Sequence, residues 1–291
     1  MAGSRFGSED ALTRLSREAG LQAPRRTVSI NHKLDGREGA ETRTMTMLTV
    51  DNLAKKFGAR GDVKYAVRGV SFNVEVGEVL AFLGPNGAGK STTMRMIAGF
   101  LEPDAGDATI NGASIVNQRA KAQSSLGYLA EGAPLYTDLT PTAFLTFLAR
   151  VHGMRGAQIR WAIDRVIEDC RIAEVARRPI EALSKGFKRR VALSGALIHD
   201  PPVLVLDEPT DGLDPGQKHA VHALVERMSE SKAILISTHQ LDEVEAMCSR
   251  AAVIDAGRIV ADGRPTDLAA QAETGRLEDA FLALTREEKA A

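Results

Sequence analysis

The chain has 291 residues, 44% of them hydrophobic and 26% charged, which fits one large α/β domain with appendages or two small domains. A formal net charge of −1 offers no whole-protein basic field for nucleic acid, and two cysteines, Cys170 and Cys248, are too few for a disulfide framework or a zinc site and suit a reducing cytoplasm. No apolar run reaches the roughly 18 residues that cross a bilayer; the densest stretch, 134–151, is interrupted by Asp138 and Arg150.

Residues 1–46 read as a mostly disordered extension. The first 44 are polar, Arg-rich and weakly periodic, without the apolar core of a secretory signal, and Glu9, Asp10 and Glu18 argue against an organellar transit peptide. Met45 and Met47, just before the first strand, are alternative starts. Leu48–Val50 opens a strand-rich segment, and 67–76 continues it with apolar positions at Val70, Phe72, Val74 and Val76. The short 79–83 strand is wholly apolar, as in a parallel sheet covered on both faces. It runs into a glycine-rich turn and a helix expected over 90–100. Asn111-Gly112, between 108–110 and 113–115, suits a type I′ hairpin.

The middle is helical. Thr140 caps a helix with Pro141 in its first turn, and Ile163, Val166, Ile167 and Cys170 share one face of a second. A third is expected over 187–198. Apolar strands at 203–206 and 233–236, joined through a helix at 216–228, imply right-handed parallel crossovers. A closing hairpin, 252–255 with 258–261, precedes a partly amphipathic helical tail over 265–284.

Gly84-Pro85-Asn86-Gly87-Ala88-Gly89-Lys90-Ser91 fits the pattern G-x-x-x-x-G-K-[ST], between a buried strand and a helix. Its glycines let successive backbone N–H groups form an anion nest, to which the helix adds its positive end. Lys90 is expected on the β- and γ-phosphates, Ser91 on Mg²⁺ and Thr92 on the α-phosphate. The 203–206 strand ends in Asp207 and Glu208, where ligands collect in parallel sheets. Asp207 is the expected metal ligand and Glu208 the general base for the attacking water.

Leu183-Ser184-Lys185-Gly186-Phe187, Asp211-Gly212-Leu213-Asp214-Pro215 and Ser237-Thr238-His239 complete the set. With the phosphate loop, in this order and spacing, the chain from about Leu48 to Ala261 resembles an ATP-binding cassette ATPase, the motor subunit of membrane transporters. The resemblance implies an α/β fold: a P-loop NTPase core with a mostly parallel sheet, an antiparallel β subdomain and an α-helical subdomain. It places the ATPase domain at 47–262, the helical subdomain at about 132–200 and a helical tail at 263–291.

The resemblance also implies roles. Phe57 stacks on adenine, with Tyr65 as the runner-up. Glu131, where the family has glutamine, senses Mg²⁺ and contacts the membrane partner. Ser184 and Gly186 cap the ATP of the opposing subunit, although Lys185 and Phe187 depart from the family's signature. Asp214 contacts that subunit, and His239 holds the γ-phosphate and positions the attacking water. The cations Lys188, Arg189 and Arg190 read as a solvated or interface face rather than a nucleic-acid site.

The implied protein is an exporter's motor on the cytoplasmic face of the membrane. It binds MgATP between two identical or closely related subunits and acts on a separate transmembrane permease. The rivals are a soluble cassette ATPase that remodels a ribosome or DNA, and a P-loop kinase. One cassette, and no room for a long coiled coil between Pro103 and Pro201, count against the first; the signature and His239 count against the second.

Overall fold

Parallel strands buried on both faces must be apolar throughout, and the central sheet of this protein is built from such segments. The computed structural model describes residues 45–58 and 63–286; apart from its last two residues, the extension expected over 1–46 lies outside them. Strands β1 (Thr46–Phe57), β2 (Lys64–Glu75), β4 (Ala105–Ile110) and β5 (Ala113–Ser114) form an antiparallel sheet in the order β2-β1-β4-β5. Strands β3 (Val79–Leu83), β6 (Leu126–Leu129), β7 (Val203–Asp207), β8 (Ala233–Thr238), β9 (Arg250–Asp255) and β10 (Arg258–Gly263) form the second, ordered β10-β9-β3-β8-β7-β6. All its pairs are parallel except β9–β10.

Side chains alternate across this sheet and so feed separate cores. Leu80, Phe82, Val203, Val205 and Leu235 pack with the antiparallel sheet, whereas Leu204, Leu206, Ile234 and Ile236 pack with the helices of the middle of the chain. Ala81 and Leu83 meet Leu268 and Leu277 of the tail. Each fully buried Leu or Ile contributes about 1.5–3 kcal/mol.

The helices are α1 (Lys90–Ile97), α2 (Arg119–Ser124), α3 (Pro141–Val151), α4 (Ala157–Asp169), α5 (Lys185–Leu197), α6 (Pro215–Ser229), α7 (Leu241–Met247), α8 (Pro265–Ala269) and α9 (Leu277–Arg286). Thr140, Ser184 and Asp214 cap α3, α5 and α6, each side chain accepting from the backbone N–H three residues on. Asn111 and Gly112 both have positive φ, 47° and 73°, as a type I′ turn requires. The helix expected through Phe100 stops at Ile97, because Gly99 turns left-handed at φ 73° and ends it. The tail is two helices rather than one, with Gly275 at φ 68° in the break. Among the described residues no helix is long and apolar enough to cross a membrane.

Candidate active site

The glycine-rich loop leaves the carboxyl end of β3 and enters α1. Two of its glycines are required by close packing. A Cβ on Gly84 would lie 2.3 Å from the carbonyl oxygen of Ile254, and one on Gly89, whose φ is 108°, would lie 2.4 Å from that of Ala66. The β9–β10 turn braces the loop from behind, Gly257 N donating to Ala88 O at 2.9 Å. Thr93 Oγ1 donates to Gly89 O at 2.9 Å, while Ser91 and Thr92 lie half-buried in the first turn. Lys90 is buried and curls back, its Nζ donating to Gly84 O at 2.6 Å and Pro85 O at 3.2 Å. Burial pushes its ammonium pKa below the ordinary lysine value; the nearby charges of Glu208, Asp207 and Glu131 oppose that shift.

Asp207 and Glu208 end β7 beside it. Asp207 is 1% exposed; its Oδ1 accepts from Ser237 Oγ, while Oδ2 is buried without a hydrogen-bond partner. Glu208 has φ 50°, which turns its carboxylate out of the strand's alternation. Its N–H donates to Ser237 O at 3.1 Å, and His239 Nδ1 lies 2.8 Å from its Oε1. An ionised carboxylate only accepts, so with Glu208 ionised Nδ1 carries the proton. Glu208 Oε2 is likewise buried and unpartnered. Burial raises the Glu208 pKa, and the His239 hydrogen bond is the largest opposing effect. Two buried orphan oxygens beside a left-handed glycine nest and a lysine are what a cation-bearing phosphate group would satisfy, so the residues fit MgATP.

The structure thus brings together Lys90, Asp207, Glu208, His239 and the charge of Glu131, which stands exposed in the turn after β6. It places the other candidates apart. Ser184 accepts from Phe187 N at 3.3 Å, and Gly186 is buried where a Cβ would lie 2.3 Å from Gln217 Oε1. Lys185 pairs with Asp211 at 2.9 Å on the surface. Asp214 accepts from Gln217 N at 2.9 Å and is exposed. Among the described residues no hydrogen bond or ion pair ties the start of α5 to 84–92. Phe57 and Tyr65 stand 48% and 43% exposed at the end of the β1–β2 pair, with Lys55 Nζ 5.9 Å from the Phe57 ring centre and the Arg68 guanidinium 5.7 Å from that of Tyr65.

The expectation for the basic run needs correction. Arg190 is buried, donating to Arg171 O at 2.7 Å with its guanidinium 4.2 Å from the Phe187 ring centre. Arg189 donates to Ala130 O at 2.8 Å, to Glu208 O at 2.7 Å and to Asp207 O. A second unforeseen residue is Glu243, fully buried on α7. It accepts from Thr210 Oγ1 at 2.5 Å and Thr238 Oγ1 at 3.1 Å, and pairs with Lys218 at 3.0 Å. The segments after Glu208 and before His239 therefore meet on one carboxylate. Periodicity could not expose either residue, since both are charges in polar stretches.

The family described as ABC transporter matches residues 67–211. The linearmycin resistance ATP-binding protein LnrL of Bacillus subtilis is 34% identical over 249 residues, 82% of this chain and 79% of that protein. The Nod factor export ATP-binding protein I of Ralstonia nicotianae is 38% identical over 223 residues, 76% of this chain and 68% of that protein. A solved ATP-binding subunit of an ABC transporter superposes with a TM-score of 0.73 at 30% identity, covering 82% of this chain and 99% of that one. A dimeric ATP-binding cassette in a post-hydrolysis state, bound to ADP and Pi, superposes at 0.70 over 75% of this chain and 98% of that one. At 22% identity the second likeness shows the fold alone.

Proposed function

This chain belongs to the ABC transporter family as an ATP-binding, ATP-hydrolysing subunit, and from that premise we propose that it drives an exporter by hydrolysing MgATP in a site split between two subunits. The observation that carries the reading is the buried Asp207–Glu208 pair, with an orphan oxygen on each, beside Lys90 and His239. ATP is the substrate. Phe57 stacks on its adenine, and the backbone of 84–89 cradles its phosphates with Thr92 on the α-phosphate. Lys90 exchanges its own loop's carbonyls for the β- and γ-phosphates. Ser91, Asp207 and Glu131 would hold Mg²⁺, which would supply charge neutralisation for the phosphates. Glu208, its pKa raised by burial, takes a proton from the attacking water, and His239 orients Glu208 and the γ-phosphate.

Ser184 and Gly186 of a second subunit close the site, with Asp214 at the contact. A hydroxyl at the N-terminus of a helix and a glycine that permits close approach make an anion site in the partner's direction. That partner is an identical or closely related copy. Hydrolysis removes the γ-phosphate contacts and lets the halves part, and the Glu131 segment hands the motion to a transmembrane permease. In this reading residues 47–262 are the ATPase domain, about 132–200 its helical subdomain, and 263–291 a tail. The protein works at the cytoplasmic face of the membrane without nucleic acid. The export direction draws support from the Nod factor export relative.

Lys90→Ala tests the loop. Equilibrium binding of ATP with Mg²⁺ should weaken by about 100-fold or more, the loss of a charge-assisted phosphate contact worth roughly 3 kcal/mol. Unchanged affinity would remove the assignment.

A further inference from the structure

We propose that Arg189 is a positioning residue for hydrolysis: its guanidinium fork fixes the backbone of Glu208 to helix α5, so that the attitude of α5 sets the reach of the base. This rests on the reading of Glu208 as general base given above.

Glu208 is held from both sides. Its N–H is fixed by Ser237 on β8, and its carbonyl by Arg189 on α5 at 2.7 Å. The same guanidinium takes the carbonyl of Asp207 and, through its other terminal nitrogen, that of Ala130 immediately before Glu131. The ends of β6 and β7 are therefore joined through one side chain. A non-glycine residue at φ 50° carries about 1–3 kcal/mol of backbone strain and keeps that conformation only when its surroundings fix it. Arg189 lies three residues after Gly186 and four after Lys185, on the same side of α5. A shift of the start of α5 thus reaches the Glu208 carbonyl within about one helical turn. Burial lowers the pKa of the guanidinium, and four nearby acids, Asp207, Asp211, Glu208 and Glu131, oppose that shift in part. Lysine cannot replace the planar fork, because a point charge does not hold separate carbonyls in fixed directions.

The test is steady-state ATP hydrolysis by the full chain carrying Arg189→Lys, Arg189→Gln, Lys188→Gln or Glu208→Gln, with rates expressed per ATP-binding site so that unfolded protein does not count. Both Arg189 variants should lose about tenfold or more in kcat while ATP affinity stays within about threefold, as misplacement of a catalytic group predicts. Lys188→Gln, on the same helix, should keep the parent rate. Parental kcat in both Arg189 variants, or loss of affinity in proportion to kcat, would overturn the proposal. Turnover retained in Glu208→Gln would instead overturn the general-base reading, so the two failures are distinguishable.

Discussion

Glu208 and Asp207 are consecutive acids with opposite surroundings. Asp207 is tied to Ser237 inside the sheet, while the left-handed turn at Glu208 sends its carboxylate to His239. Glu208→Gln keeps the shape and removes the base, so turnover should fall by about 10²–10⁴-fold with ATP still bound. Rapid quench with one ATP per site measures it. Gly89→Ala should fail differently. Its Cβ meets backbone at 2.4 Å and its φ is 108°, so about 1–3 kcal/mol of strain enters the loop and ATP binding falls with thermal stability. The thiols offer a third check. Burial pushes Cys170 and Cys248 each up to about 12, so the folded protein should resist a thiol reagent at pH 8 and both should react on unfolding. At this scale residue type and spacing singled out the phosphate loop, Asp207 and Glu208, while His239 entered through the family resemblance. The sequence hid Arg189 and Glu243, whose hydrogen-bond partners lie 18 to 59 and 5 to 33 positions away.

Elements followed their patterns where burial is two-sided. Strands β3, β7 and β8 are apolar runs and were legible as such. β6 was not, because Gly127 interrupts it; a Cβ there would lie 2.5 Å from Ala196 O, so the glycine serves the approach of α5. α2 and α7, of 6 and 7 residues, are too short to show a helical period. The end of α5 carries a further consequence. The ring of His199 stacks on His152 at 3.7 Å, and Nε2 lies 3.1 Å from Leu126 O. Burial first, then His152, holds its pKa down to about 4. An unfolded histidine titrates near 6.5, so the unfolded chain binds a proton that the fold excludes. Stability present above about pH 6.5 is then lost as pH falls toward 4. Denaturant midpoints at pH 7 and 5 should drop further in the parent than in His199→Gln; equal drops would contradict this.

At the scale of the whole molecule, the phosphate loop and the 183–187 segment stand at separate places in one chain, and in the proposed reading the second segment comes from another subunit. Two dead variants test that reading directly. Lys90→Ala lacks the loop. Ser184→Asp keeps a good helix cap but turns a negative charge toward the partner's phosphates. In a mixed dimer the defects fall on the same site and leave the other intact. Mixing equal amounts should therefore restore about a quarter of the parent's ATP turnover, since half the dimers are mixed and each has one good site. Turnover no greater than the sum of the two variants alone would contradict a site shared between subunits.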